Sequence, residues 1–420
     1  MSRAIARDIF GLGTVQGNIA VDIIPGLRYN VNICGYTEEL FMEGTPIGQN
    51  TPIEQNVPMS QNMYMGQNMP MGQELSQQYM PQQMPGQDMW NQECVRQGRK
   101  FFSHLGLMYF CGTLVIYGVQ LLVMWVLSLI EPGIFKDANF SLLASMLPMY
   151  LVGMPIMVVL IQTVPAQQLP QRSLSVGKWV LAMIMCYAIL YCSNLVGVFI
   201  TFFIGLLKGG RVANNIQDIT TSVNPIITAV FMVVCAPLYE EFIFRKLLVD
   251  RVVRYGESIA VVLSGLVFGL FHGNLSQFAY ASTLGMFLAF IYVKTGRLRY
   301  TIFMHMMVNF MGGVIAPFIL KFIDVDAMNK VLLAGSEEAA SEALAQVLPG
   351  LILMLGYLCC ILGITVAGIV LLIVFHKKFK ATPKGIALPK GKRFTTVILN
   401  VGMVLFILFW VFMIIWQLFQ

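Results

Sequence analysis

From residue 101 onward the chain alternates long apolar runs with short polar breaks, whereas the first hundred residues carry no sustained apolar run. A run of about 18 or more apolar residues is long enough to cross a bilayer as a helix. By that criterion about nine spanning helices are predicted, over 101–130, 141–163, 178–207, 225–248, 258–273, 275–294, 299–320, 348–375 and 396–418. The fifth is short, but its neighbours require it as a connection, and its polar residues argue for burial within the bundle. The expected fold is therefore an all-α polytopic membrane protein with a disordered N-terminal tail.

Composition agrees with the pattern. Of the 420 residues 57% are hydrophobic and 11% charged, against about 25% charged in an ordinary soluble domain, and mean hydropathy is +0.71. The tail differs: from about Glu43 to Gln92 it is built of Met, Gln, Asn, Pro and Gly, with a loose echo between Asn62–Gln67 and Asn68–Gln73. It lacks helical and strand periodicity, which is the signature of a disordered segment. Clustered thioethers such as Met63, Met65, Met69 and Met71 would also suit Cu(I), although compositional drift explains such tracts more often. The cysteines show no CxxC spacing and no disulfide framework.

Charge sets the orientation. Arg96, Arg99, Lys100, Arg172, Lys178, Lys246, Arg251, Arg254, Lys294, Arg297, Arg299 and the basic cluster from Lys377 to Arg393 fall on one side of a nine-helix arrangement. Far fewer bases, with Glu337, Glu338 and Glu342, fall on the other. The positive-inside rule then places the N-terminus in the cytoplasm. The net charge of +6 is largely this topology, so no nucleic-acid partner is expected; the bilayer and a membrane-associated substrate are. No N-terminal apolar run resembles a secretory signal, and the last residues, Leu418-Phe419-Gln420, carry no retention signal. A bacterial plasma membrane is the expected location. Four regions result: a tail over 1–100, two accessory helices in 101–177, a polar-motif core over 178–321, and C-terminal helices with a basic loop in 322–420.

Three polar clusters interrupt the apolar core. Glu240-Glu241-Phe242-Ile243-Phe244-Arg245 forms an EExxxR pattern inside an apolar run. An ionised carboxylate in hydrocarbon costs roughly 3 kcal/mol even on mild insertion scales, so two in a row demand a reason. Glu241 and Arg245 are four apart and can pair on one helix face, which leaves Glu240 turned about 100° away and without a partner. Pro237, one turn earlier, can kink the helix and free nearby carbonyls. The second cluster is Phe268-Gly269-Leu270-Phe271-His272, FxxxH, and the third His305-Met306-Met307-Val308-Asn309, HxxxN. The chain has four histidines, and the two inner ones sit in these patterns. Glu240 and His272 are equally far from the turn expected at Gly256, so an antiparallel hairpin brings them to one height. A polar cavity in the cytoplasmic half of the bilayer is expected.

One free carboxylate, two imidazoles, a carboxamide and a guanidinium suit hydrolysis. A carboxyl group in a low-dielectric site can serve as general base near neutrality, and hydrogen-bond donors can hold a developing oxyanion. Glu240, His272 and His305 are also zinc-ligand types, although the HExxH signature of soluble zinc proteases is absent. Proton or ion transport would use similar residues, but the 178–320 region shows no convincing repeat and few polar residues on its far side.

EExxxR, FxxxH and HxxxN in this order on successive membrane helices resemble the CPBP family (CAAX proteases and bacteriocin-processing enzymes, also called Abi), over about residues 180–320. The resemblance implies a helical intramembrane protease, glutamate- or metal-dependent, open to the cytosol. By it, Glu240 would activate water with help from His272, His305 and Asn309 would stabilise the oxyanion, and Glu241 and Arg245 would position them. A catalytically inactive scaffold or immunity protein of the same fold is the competing expectation. The tail and the last two helices lie outside the family core.

Overall fold

In the computed structural model, which describes residues 19–22, 28–31, 87–210, 212, 222–323, 325–382 and 385–419, every long apolar run of the sequence is helical. The chain divides after Tyr79 into two units. In the first, the described residues form an antiparallel pair, β1 (Ile19–Asp22) and β2 (Arg28–Val31), with Ile19 opposite Val31. The expected disordered, Met/Gln-rich tract and its thioethers lie outside the described residues.

The second unit is all-α and multi-pass. Its helices are α1 (Gln87–Ile130), α2 (Ala138–Gln162), α3 (Val176–Lys208), α4 (Pro225–Tyr255), α5 (Glu257–Phe271), α6 (Leu275–Thr295), α7 (Leu298–Leu320), α8 (Val325–Leu333), α9 (Glu337–Phe375) and α10 (Val401–Leu418). Eight of the described helices are long and apolar enough to cross a membrane; α5, at 15 residues, is the short ninth. Each expected span corresponds to one of these. Several boundaries move: α9 begins at Glu337 rather than 348, and α4 runs on to Tyr255 rather than 248. Helix α1 begins at Gln87 rather than 101, because Cys94 and Gly98 pack on the bundle, Gly98 against Thr396 and Tyr255. Helix α10 begins at Val401 rather than 396, because Asn400 caps it by accepting from the Met403 N–H at 3.1 Å.

The 101–177, 178–321 and 322–420 regions are not separate bodies, since everything from Met80 on clusters as one unit. The Tyr109 hydroxyl of α1 donates to the Ile243 carbonyl of α4 at 2.8 Å. From α10, Trp410 lies 5.0 Å from the Phe271 ring.

Helices α5 and α6 form a hairpin whose seam is made of small residues. A Cβ on Gly265 would stand 2.5 Å from the Ser282 carbonyl oxygen, and one on Gly285 would stand 3.0 Å from the Gly265 Cα. Gly269 is pressed equally hard on the Ser282 side chain. Such close backbone approach is how membrane helices gain contact without a hydrophobic driving force. Fifteen residues give α5 about 22 Å of length, short of the ~30 Å hydrocarbon core. The tip of the hairpin accordingly stops inside the bundle: Ser276 packs against Gly197, about 11 residues or roughly 16 Å before the end of α3. At the other end Lys294 pairs with Glu257 at 2.5 Å, and the chain turns at Gly256 (φ 112°) and Gly296 (φ 60°).

Leucine at Gly265 should force α5 and α6 apart, at a cost of about 1–3 kcal/mol or more. The measurement is thermal unfolding of the purified full chain in detergent, where Gly265→Leu should melt well below wild type and Gly118→Leu, at an open position, should not.

Candidate active site

The site grows from a helix that cannot hydrogen-bond regularly. Proline has no N–H, and a π-turn bonds each N–H to the carbonyl five residues back. In α4 the stretch Ala229–Cys235 is π-helical, and the Ala236 N–H bonds to the Phe231 carbonyl. The next donor in that register would be residue 237, which is proline. The Met232 carbonyl is therefore left without a backbone partner, and the Asn309 side chain fills the gap, its Nδ2 donating at 2.8 Å. Helix α2 repeats the device. Met149–Gly153 is π-helical, the Met154 N–H bonds to Met149, and Pro155 leaves the Tyr150 carbonyl to accept from the Tyr239 hydroxyl at 2.9 Å. The kink expected at Pro237 is thus a register change that recruits side chains from other helices.

A second wide turn, Phe242–Leu247, follows. Its carbonyls also bond sideways, with Ile243 accepting from Tyr109 and Phe244 accepting from the Ser264 hydroxyl at 2.7 Å. Between the two turns lie Glu240 and Glu241, which face different surroundings. Glu241 is fully buried. Its Oε1 lies 3.1 Å from Arg245 Nη2 and accepts from His305 Nδ1 at 3.0 Å. Arg245 is equally buried, with its guanidinium 4.4 Å from the centre of the Phe268 ring. Among the described residues its nitrogens find no well-angled hydrogen bond, so the ion pair and the ring face carry its charge.

Glu240 keeps a side-chain exposure of 18%, and its Oε2 stands 3.6 Å from His305 Nε2. Phe268 supports both imidazoles edge-on, with centroid distances of 4.7 Å to His272 and 5.7 Å to His305. His272 ends α5, and its Nδ1 donates to the Phe268 carbonyl at 2.9 Å. Contacts therefore join EExxxR, FxxxH and the histidine of HxxxN, while Asn309, one turn along α7, bonds to the Met232 carbonyl of α4.

The partners fix the tautomers. A carbonyl and an ionised carboxylate only accept, so both histidines carry a proton on Nδ1, and each neutral ring then presents a lone pair at Nε2. Among the described residues, His305 is the imidazole with a nitrogen within 4 Å of a Glu240 carboxylate oxygen. Asn309 has one amide N–H engaged on Met232 and one left. The Tyr150 and Tyr239 contact was not singled out by sequence, though prolines at the same offset from a wide turn were its available signal.

The zinc expectation meets the same geometry. Imidazoles fixed through Nδ1 are the usual form of zinc ligand, but among the described residues no group of three or more His, Cys, Asp or Glu side chains is placed to hold a metal ion. Glu240 and His305 approach each other, while the bond of His272 to the Phe268 carbonyl engages Nδ1 alone.

Removing the base of a buried pair strands its acid, which typically costs about 3–5 kcal/mol. Arg245→Met should therefore lower the melting temperature sharply, whereas Glu240→Gln, at a partly exposed carboxyl, should melt close to wild type. Thermal unfolding of both variants in one detergent checks the contrast.

Residues 222–311, which hold Glu240, Glu241, Arg245, Phe268, His272, His305 and Asn309, match the family described as Type II CAAX prenyl endopeptidase Rce1-like. A relative from Bacillus subtilis (strain 168), named "Putative membrane peptidase YdiL", is 27% identical over 163 residues. That alignment covers 38% of this chain and 66% of the relative, so the chain spans just under two thirds of the relative's length. No solved structure matches the chain. The order of the three polar motifs agrees with this similarity, which lies in the core over residues 222–311 and is to membrane peptidases of the CPBP type.

Proposed function

We propose that this protein is an intramembrane endopeptidase in which Glu240 is the general base. The observation that carries the reading is the inequality of the two glutamates. Glu241 is sealed and shared by Arg245 and His305, while Glu240 is partly exposed and stands 3.6 Å from an imidazole lone pair. Oxygen and nitrogen at that separation can both accept from one water, each at ordinary hydrogen-bond length. A water held by two acceptors has its own lone pairs turned away from them, toward a scissile carbonyl. Glu241 supplies the alignment by fixing the His305 ring through Nδ1, and Phe268 holds both imidazole planes.

As the water oxygen bonds to the carbonyl carbon, Glu240 takes its proton and the carbonyl π electrons move onto oxygen. Collapse of that oxyanion breaks the C–N bond, and Glu240 returns the proton to the leaving nitrogen. The second imidazole, His272, presents its Nε2 lone pair to the same cavity and orders water there. The remaining N–H of Asn309 is a donor available to the oxyanion. Substrates are peptide segments of membrane-associated proteins. The basic residues at the Gly256 and Gly296 end support a site opening toward the cytoplasm, and the family relationship supports peptide-bond chemistry.

Two measurements test this. Mapping of new peptide termini in membranes of cells carrying wild type or Glu240→Gln should yield cleavage junctions with wild type alone. Identical termini with equal expression would move the protein to the scaffold class. With a purified sample, chelation followed by dialysis should leave cleavage of a mapped junction unchanged; loss restored by added zinc would replace the metal-independent reading.

A further inference from the structure

The tautomers leave the site rich in acceptors and short of donors. Glu240, His305 Nε2 and His272 Nε2 all accept, Arg245 is turned onto Phe268, and Asn309 has one of its two amide hydrogens engaged. An acyl-transfer site needs donors aimed where negative charge develops, and removing one typically costs 100- to 1000-fold in rate.

A chain of hydrogen bonds runs from His272 into α6. The Asn274 amide nitrogen donates to the His272 carbonyl at 3.1 Å and to Gln277 Oε1 at 2.5 Å. The Gln277 amide nitrogen then donates to the Tyr280 hydroxyl oxygen at 2.8 Å. A backbone carbonyl can only accept, so it sets the direction of every bond that follows. Asn274 must present its nitrogen to it; Gln277 must therefore present its oxygen to Asn274 and its nitrogen to Tyr280. The other face of Asn274 fits the same assignment, since its Oδ1 accepts from Ser276 Oγ and the Gln277 N–H, both at 2.9 Å. The phenol oxygen of Tyr280 is thus an acceptor in this bond, and its own hydrogen points elsewhere. Among the described residues, no acceptor of the protein takes it.

Placement agrees with direction. Long side chains of a helix lean toward its N-terminus, which here is the Gly273–Asn274 turn directly behind His272. His272 and Tyr280 stand at the two ends of this hydrogen-bond chain, and the charge of Glu240 bears on both.

We infer that Tyr280 is a further catalytic residue, its phenol O–H donating a hydrogen bond to the carbonyl oxygen of the scissile peptide as that oxygen becomes negative. Asn274 and Gln277 are positioning residues that aim it and tie its position to that of His272. No proton need leave the phenol: the bond strengthens as charge grows and relaxes when the C–N bond breaks. This rests on the peptidase reading and adds a donor to it.

The test uses the full chain in proteoliposomes and a synthetic peptide spanning a junction mapped as above. Tyr280→Phe should lower kcat by about 100- to 1000-fold with little change in KM and an unchanged melting temperature. Replacement of Tyr280 by 3,5-difluorotyrosine, a more acidic phenol of nearly the same size, should alter kcat while the fold stays intact; a packing role would not respond. Wild-type kcat in Tyr280→Phe overturns the assignment, as does indifference to fluorination should Tyr280→Phe fail to fold. Absence of Glu240-dependent cleavage by the wild type instead overturns the peptidase reading itself.

Discussion

A single buried carboxylate oxygen, Oε1 of Glu241, organises the core of this bundle. It faces the Arg245 guanidinium on its own helix and the His305 imidazole from α7, and Phe268 from α5 lies under that guanidinium. Three helices are thereby tied at a point where no water can relieve a mismatch. A charge so placed tolerates one arrangement of its partners, because an uncompensated ion in an apolar interior costs several kcal/mol. The consequence for chemistry is indirect but strong: the His305 ring cannot turn, so its Nε2 is presented to Glu240 in one orientation. Of two adjacent acids, one is thus sealed in the anchor while the other keeps partial exposure.

Around this anchor the backbone itself is irregular in a systematic way. Wide helical turns at Met149–Gly153, Ala229–Cys235 and Met311–Ile315 are each followed, two residues on, by proline. In the first two, the carbonyl that loses its donor is taken by a side chain from another helix, Tyr239 or Asn309. In a bilayer a freed carbonyl cannot turn to bulk solvent, so such a defect is a strong directional link between helices. It fixes the lateral positions of α2, α4 and α7 more sharply than dispersion contacts between apolar side chains could.

The α5–α6 hairpin supplies the third element. Its glycine-lined seam lets two helices approach closely enough that the short α5 ends within the bundle, with His272 at its last turn and a capped polar turn after it. A full-length span would have carried His272 beyond the level of Glu240. The length of α5 and the size of the residues at 265, 269 and 285 therefore set the depth of the site, while the Asn274 cap ties the start of α6 to the His272 carbonyl.

Much of this was legible in the chain. The apolar runs located the eight long spans of the described residues, because a span must satisfy its own backbone bonds and so announces itself by length alone. Polar residues in those runs marked the candidate site, since Glu240, Glu241, Arg245, His272, His305 and Asn309 are costly in contact with lipid. The i, i+4 spacing also foretold the Glu241–Arg245 pair. Sequence could not say which imidazole would stand beside Glu240, because equal distance from Gly256 fixes height but not the rotation of one helix about another. Nor could it give the tautomers, which depend on Nδ1 meeting Phe268 O in one case and Glu241 in the other. Asn274, Gln277 and Tyr280 look like ordinary helix-start residues until hydrogen bonds give them a direction. Composition and periodicity determined which residues had to be brought together; the close packing of helices, through bonds that span long stretches of chain, decided which atom faces which.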